Sequence, residues 1–241
     1  MVEITREEWD KIKESDFVAK SLRLFLSYSS KDRRIAGKIK NSLEQFQIRV
    51  FLAHEDITPT QEWEEEILHN LNNCDIFCPL LTKNFVRSEW TSQELGIAFC
   101  KQKFILPLKL DVDPYGFINK IQALKINEDV IDDSVKRIIE IINRDKILRD
   151  SLRDCVIQSL EKVNDFDSGA KRLAILEIFE FNNVQITEIF RKAIIDNQIR
   201  MSRKGKRQLR KWLEEYSDKI DPFVKNLFEK VRDEFFITIS E

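Results

Sequence analysis

Short apolar runs alternate with amphipathic helical patterns over the first half of the chain. The runs, each bounded by polar residues, lie at 22–26, 48–52, 75–81 and 104–108. Runs of this length and composition are typical of strands buried on both faces. Pro79 and Pro107 are placed near strand ends, because proline cannot donate a hydrogen bond inside a sheet. The alternation of strand and helix from about residue 21 to about residue 142 predicts an α/β domain with a parallel sheet covered by helices.

The second half of the chain shows helical periodicity alone. Apolar residues recur at helical spacing after residue 127, and Asn182-Asn183 and Asp221-Pro222 are typical of helix breaks. The chain is therefore predicted to have three parts. These are an N-terminal helix at residues 1–20, the α/β domain at residues 21–142 and a smaller all-α domain at residues 145–241.

The composition fits a folded protein without a membrane segment. Of the 241 residues, 42% are hydrophobic and 34% are charged, which excludes a wholly disordered chain. The formal net charge of -2 gives no whole-chain argument for binding nucleic acid or a membrane surface. No apolar run approaches the ~18 residues that span a bilayer. The 4 cysteines do not form a loop-rich disulfide framework, so we expect a soluble protein in the reducing cytoplasm.

Three motifs occur in the order and spacing of one known family. The segment at 24–32, LFLSYSSKD, resembles the first strand and loop of Toll/interleukin-1 receptor (TIR) domains. Residues 50–67 resemble the second strand, the BB loop and the second helix of that family. Residues 85–95, FVRSEWTSQEL, are similar to the Ser-x-Trp-x-x-x-Glu segment of its third helix. The resemblance implies a flavodoxin-like parallel sheet, which agrees with the alternation of strand and helix.

The resemblance also implies an activity. Bacterial and archaeal members are commonly enzymes that cleave NAD, whereas many animal receptor domains are assembly modules. An NAD+ nucleosidase of this kind releases nicotinamide and forms ADP-ribose or a cyclic ADP-ribose isomer, here in antiviral or cell-suicide immune signalling. NAD is then the substrate, no cofactor is required, and activity needs a homo-oligomer held by TIR–TIR contacts. The helical domain would sense a trigger, hold oligomers or restrain the enzyme; the alternative is a non-catalytic scaffold that recruits other TIR proteins.

Glu94 is the residue to which the resemblance assigns catalysis. Trp90 and Glu94 are four residues apart and share one helix face, where a ring and a carboxylate suit a flat base and a ribose gaining positive charge. Nicotinamide leaves as a neutral molecule from a cationic precursor, so one carboxylate can suffice where ordinary glycosidases use two. Glu94 would bind the ribose hydroxyls and stabilise the developing charge. The competing interpretation is structural: Thr91 to Glu94 also fits a capping box with Thr91 as the N-cap, and Trp90 also fits a packing role.

Four further residues are candidate substrate contacts. His54 and Glu55 lie in the loop after the second strand, which resembles the BB loop that borders the NAD site in enzymatic family members. Ser29 and Ser30 follow the carboxyl end of the first predicted strand, at the edge where open parallel sheets bind ligands. Each has a structural alternative: His54 and Glu55 as solvated loop residues, and one serine as the cap of the next helix.

Other kinds of site lack their signatures. The sequence has no Gly-x-Gly-x-x-Gly and no Gly-x-x-x-x-Gly-Lys-Ser/Thr motif, so a Rossmann dinucleotide site and a P-loop are unsupported. Cys74 and Cys78 flank a strand-like run and are predicted to be core residues. No Cys-x-x-Cys or His-rich cluster accompanies them, and no metal site is expected.

A basic run in the helical domain has two interpretations. Its cations are Arg200, Arg203, Lys204, Lys206, Arg207, Arg210 and Lys211. They could bind the phosphates of a nucleic acid. Acidic residues follow closely and aromatic residues for base stacking are scarce nearby. A solvated helix end or an intramolecular salt-bridge face is therefore the favoured interpretation.

Overall fold

The computed structural model describes residues 2–52 and 63–240, which divide into two compact units. One unit runs from Ser21 to Leu152, and the other joins the residues up to Lys20 with those from Arg153 onward. The N-terminal segment thus groups with the later helices, but the prediction of a helix over residues 1–20 is wrong. The helix spans only Arg6–Lys13, because Val2–Thr5 forms a strand and Thr5 is the N-cap. The division falls at residues 152–153 rather than at 142–145. The predicted contacts His54 and Glu55 lie outside the described residues.

The strands and helices of the α/β unit follow the predicted alternation. After β1 (Val2–Thr5) and α1 (Arg6–Lys13) of the other unit, the elements are β2 (Arg23–Ser27), α2 (Arg33–Glu44), β3 (Arg49–Leu52), α3 (Trp63–Asn73), β4 (Ile76–Leu81), α4 (Lys83–Val86), α5 (Glu89–Cys100), β5 (Phe104–Ile105), β6 (Leu108–Lys109), β7 (Leu124–Lys125) and α6 (Ile131–Ile142). The described strands pair in parallel in the order β3-β2-β4-β6-β7, with β5 also paired to β4. The predicted parallel sheet flanked by helices is confirmed, and β7 adds a short strand that the apolar runs did not indicate.

The central strands are buried because both of their faces are apolar. Every residue of β4 is buried, as are the last four of β2. Helix α2 packs with the stripe of Ile35, Ile39 and Leu43, all nearly inaccessible to solvent. Each such side chain contributes about 1.5–3 kcal/mol when it is transferred from water to the core. Both faces of the central strands are thus covered, and a ligand is expected at the carboxyl ends of the strands instead.

Pro79 lies inside a central strand, so its predicted place near a strand end is wrong. It is the fourth residue of β4 and stands opposite Ser27 of β2. The carbonyl of Phe77 accepts from the N–H of Leu106 at 2.9 Å, on the β5–β6 side, and residues two apart in a strand point the same way. The nitrogen of Pro79 therefore faces the interruption between β5 and β6, where β4 pairs with neither strand. Pro107 occupies that interruption, as expected.

The second unit is mainly helical. Its further elements are α7 (Leu148–Ser159), which begins in the first unit, α8 (Phe166–Leu176), α9 (Asn183–Ile195), α10 (Asn197–Met201), α11 (Arg203–Glu215), α12 (Pro222–Val231) and β8 (Ile237–Ser240). The two predicted helix breaks are confirmed: Asn182 caps α9 and Asp221 caps α12, whose first residue is Pro222. Strands β1 and β8 form a separate parallel pair that the patterns did not predict, because neither is a continuous apolar run. Across residues 2–52 and 63–240, no helix is long and apolar enough to cross a membrane.

Candidate active site

The candidate site lies where β2 ends and α5 crosses the carboxyl edge of the sheet. Ser27 is the last residue of β2 and is fully buried. Glu94 is in the middle of α5, and its side chain is turned toward the end of β2 rather than toward solvent. The hydroxyl of Ser27 donates to Oε2 of Glu94 at 2.5 Å. Two residues that are 67 positions apart thus meet at the edge where open parallel sheets bind ligands.

Glu94 is a buried carboxyl with one oxygen left unsatisfied. Its exposed fraction is 2%, and Oε1 has no hydrogen-bond partner among residues 2–52 and 63–240. Burial raises the pKa of Glu94 to about 7, and the hydrogen bond from Ser27 lowers it, which offsets part of the effect. Loss of hydration disfavours the charged form, whereas a donor favours it. The group therefore changes its charge near neutral pH, a property that is common at functional sites.

The capping-box interpretation of Glu94 is wrong. Helix α5 begins earlier than that interpretation requires, at Glu89 with Ser88 as the N-cap. Thr91 lies within the helix and its hydroxyl donates to the carbonyls of Phe85 and Ser88, at 2.7 and 2.9 Å. The carboxyl of Glu94 is bonded to another element altogether. Its burial at mid-helix is therefore not explained by helix capping, which removes the main structural explanation that the sequence offered.

The remaining predicted contacts are only partly brought together. Trp90 is half-buried, one helical turn before Glu94 on the same face of α5. Ser29 is buried and Ser30 is exposed, in the loop that continues from Ser27. Neither serine hydroxyl makes a hydrogen bond within the described part of the chain, so the alternative that one of them caps the next helix through its side chain is not supported. These positions leave both hydroxyls available at the same sheet edge as Glu94.

A second polar cluster, which the sequence did not indicate, holds the loop after β2. Asp32 is the N-cap of α2, yet its carboxylate caps no backbone donor there. It accepts instead from Thr82 Oγ1 at 2.5 Å and from Asn84 Nδ2 at 2.8 Å, in the segment after β4. These bonds tie the loop that carries Ser29 and Ser30 to the neighbouring strand end. Within residues 2–52 and 63–240, no group of three or more His, Cys, Asp or Glu residues could hold a metal ion.

We expect Ser27→Ala to destabilise the fold more at alkaline than at acidic pH. The change removes the donor to Glu94 and leaves both carboxyl oxygens buried without a partner, which costs about 1–3 kcal/mol of unfolding free energy. The loss is greater at about pH 8 than at about pH 5, because a donor stabilises the ionised form and its removal raises the pKa further. Denaturant titration at both pH values measures it.

Ser30→Ala is the matched control for that experiment. Ser30 is exposed in the same loop, so its variant should stay within about 0.5 kcal/mol of the wild type at either pH. Equal losses for the two variants, or a Ser27→Ala loss that is independent of pH, would show that the Ser27–Glu94 bond has little energetic weight.

Comparison with known proteins agrees with the resemblance that the motifs carry. Residues 24–139 match the family model described as TIR domain. Among solved structures, the chain is similar to the TIR domain of the Toll-related receptor TRR-2 from Hydra magnipapillata, with 18% identity and a TM-score of 0.43. That match covers 49% of this chain and 95% of the Hydra chain. The sequence matches no curated protein.

Proposed function

We propose that this chain, which contains a TIR domain at residues 24–139, is an NAD+ nucleosidase with Glu94 as its catalytic carboxyl. The observation that carries the proposal is the state of Glu94: buried, poised to ionise near neutral pH, and with one oxygen unpartnered at the carboxyl edge of the sheet. The TIR family includes NAD-cleaving members. The reaction would release nicotinamide and form ADP-ribose or a cyclic ADP-ribose isomer, with NAD as substrate and no cofactor.

The proposed chemistry requires only one carboxylate. As the bond between nicotinamide and ribose breaks, nicotinamide takes the bonding electron pair and leaves neutral, and positive charge develops on the ribose. Ionised Glu94 stabilises that charge through its field and through hydrogen bonds from the ribose hydroxyls. Water, or the adenine ring in the cyclic case, then attacks the sugar carbon. Ser27 acts as a positioning residue, since its bond to Oε2 fixes the orientation of the carboxyl and leaves Oε1 for the substrate.

The burial of Glu94 sets a condition on this proposal. A carboxyl that is 2% exposed must be uncovered before a ribose can reach it. We propose that substrate binding within an assembly exposes the carboxyl of Glu94, because TIR domains typically assemble homotypically. Activity should then depend steeply on protein concentration. The proposed context, antiviral or cell-suicide signalling in a cytoplasmic setting, is consistent with an enzyme that stays silent until it is clustered.

Chromatography of the reaction products tests the proposal. The full chain is incubated with NAD at low and at high protein concentration, and with a crowding agent. We expect nicotinamide to appear in proportion to the NAD that is lost, with a rate per protomer that rises with concentration. The second product distinguishes hydrolysis, which gives linear ADP-ribose, from cyclisation. Intact NAD at every concentration, crowded or not, would overturn the proposal.

The same burial favours one alternative function, a non-catalytic TIR scaffold. A carboxyl that is permanently closed, with Ser27 as its lasting partner, fits a structural element of the domain. A scaffold should self-associate, or bind a second TIR protein, equally well with Glu94 intact or replaced by Gln. Light scattering of the two proteins, carried out beside the NAD assay, separates these functions, since only the enzyme couples association to nicotinamide release.

A further inference from the structure

An exposed basic stripe runs along helix α11 of the second unit. Arg203, Arg207 and Lys211 are spaced at i, i+4 and i+8, so they lie on one face of the helix, and all three are exposed. Within residues 2–52 and 63–240, no carboxylate forms an ion pair with any of them, the nearest approach exceeding 4.0 Å. The three are called the basic stripe below. Their charges remain available to a ligand.

The basic stripe works against the stability of its own helix. Like charges at i and i+4 repel, and cations in the first turn oppose the positive end of the helix dipole. The first turn of α11 has no acidic residue to compensate, and it carries Arg203 and Lys204. A bound polyanion would turn each of these unfavourable interactions into a favourable one. The arrangement therefore suits a helix whose charges are matched by something outside the chain.

Three of the other cations of the basic run, Arg200, Lys204 and Arg210, have partners inside the protein. Arg200 is buried and donates to the carbonyls of Ala193, Ile194 and Glu234. Arg210 pairs with Asp233 at 2.7 Å. The favoured interpretation from sequence was a solvated helix end or a salt-bridge face. Arg210 fits the salt-bridge face, whereas the exposed basic stripe fits the solvated helix end and has no ion pair within the described residues.

The basic stripe forms one side of a groove with a volume of about 1050 Å³. Phe166 and Ala170 of α8 line the opposite side. The groove also contains two carboxylates, and each already has a lysine partner: Asp167 with Lys171 at 3.1 Å, and Glu177 with Lys204 at 3.5 Å. The net field that a ligand would meet is therefore positive, on the side of α11.

One aromatic ring, that of Phe166, lines the same groove and begins a short series of ring contacts that the sequence did not indicate. Phe166 is 41% exposed, and its ring centroid lies 6.1 Å from that of Phe235. Phe235 in turn contacts Phe236, with centroids 4.8 Å apart, and Phe236 is 67% exposed. Phe166 is far from α11 in the chain, so only the fold places its ring in the same groove as the basic stripe. Cations that follow a phosphate backbone and rings that stack on bases are the combination that single strands require.

We propose that this groove binds single-stranded nucleic acid, with phosphates on Arg203, Arg207 and Lys211 and a base on Phe166. The groove has a volume of about 1050 Å³, and its three cations are spread over two turns of α11, so they can contact successive phosphates. The site belongs to the second unit and does not depend on the proposed NAD cleavage. It supplies a ligand class for the trigger that the helical part of the chain would sense.

Fluorescence anisotropy with a labelled oligothymidylate of about 12 nucleotides tests the proposal on the full chain. We expect the wild type to bind more weakly as NaCl rises from about 50 to 200 mM. When three phosphate contacts are removed, the slope of log Kd against log salt concentration should fall by about 2. The variant Arg203→Gln/Arg207→Gln/Lys211→Gln should bind at least about tenfold more weakly. Phe166→Leu keeps an apolar side chain but removes the stacking ring, and should bind about fivefold more weakly or worse.

A matched variant separates position from net charge. Arg6→Gln/Lys162→Gln/Lys219→Gln removes the same three charges from exposed positions outside the groove and should bind nearly as well as the wild type. Circular dichroism confirms that each variant is folded. Equal losses in both triple variants, no binding by the wild type, or salt-insensitive binding would overturn the proposal. The proposal would also be overturned if inorganic polyphosphate competed fully with the oligonucleotide and Phe166→Leu had no effect on binding. The groove would then bind any polyanion.

Discussion

Glu94→Gln should reduce the release of nicotinamide from NAD by at least about 100-fold, which is the cost of removing one preorganised electrostatic group from a transition state. Glutamine preserves the size of the side chain and an oxygen that can accept from Ser27, so the loss reports the missing charge rather than a cavity. Product chromatography at matched, high protein concentration measures the rate. For the wild type, kcat/KM should rise as pH increases through about 7, because the ionised carboxylate is the active form.

Glu89→Gln is the control for this first prediction. Glu89 is an exposed carboxyl on the same helix, one turn and a residue before Glu94. Its replacement should leave the rate within about twofold, since an exposed charge is screened by water and salt. Turnover by Glu94→Gln at the wild-type rate would remove the site assignment even if the protein cleaves NAD. Equal loss in both variants would point to a general effect on helix α5 instead.

The same substitution should change how stability depends on pH. The folded-state pKa of Glu94 is raised from 4.5 to about 7, so the native protein holds this proton more tightly than the unfolded chain does. Unfolding free energy contributed by the group is fully present below about pH 4.5 and is lost as pH rises through about 7. The size of that loss is about 3 kcal/mol, at 1.36 kcal/mol for each pH unit of the shift. Glu94→Gln does not titrate at this position, so its unfolding free energy relative to that of the wild type should rise by about 2.5 kcal/mol between pH 5 and pH 8.

Denaturant titrations at a series of pH values measure this second prediction. The informative quantity is the difference between variant and wild type at each pH, because all other titrating groups cancel in it. Any constant cost of an unpaired glutamine amide shifts the whole difference curve but does not change its slope. Glu89→Gln should give a nearly flat difference curve, since its side chain is hydrated in both states. A flat curve for Glu94→Gln as well would mean that the carboxyl is not desolvated, and the account of the site would fail.

Local pattern was sufficient for the architecture of the α/β unit. The first three apolar runs correspond to β2, β3 and β4, and the fourth covers β5 and β6 together, within a residue or two at each end. The pattern misplaced Pro79, because the rule against proline in central strands depends on what lies beside the strand. It missed β7, β1 and β8 because strands of two to four residues are too short or too mixed in polarity to show a period. The helix breaks were predicted because capping is a local interaction.

Only part of the candidate site could be predicted from the sequence. Glu94 could be singled out from the motif at residues 85–95, but its state could not, because a pKa depends on solvent and on neighbours from other elements. Ser27 ends an apolar strand run, and nothing local distinguishes it from any other strand-terminal serine. The residues from Thr91 to Glu94 match a capping box, but helix α5 already begins at Glu89, so Thr91 is not its N-cap. The sequence likewise gives no sign that Phe166, whose ring contacts that of Phe235, lies in a groove with the basic stripe.

By itself, the order of apolar and polar residues determined the layers of this protein, since each strand and helix must bury whichever side its own residues make apolar. Three motifs in that order also indicated the family whose model matches residues 24–139. Tertiary structure alone decided that Glu94 meets Ser27, that its carboxyl is buried, and that the ring of Phe166 lines the same groove as the basic stripe of α11. The reason is range: periodicity and capping act over a few residues, whereas solvation and the choice of partner depend on chain segments that folding brings from far away.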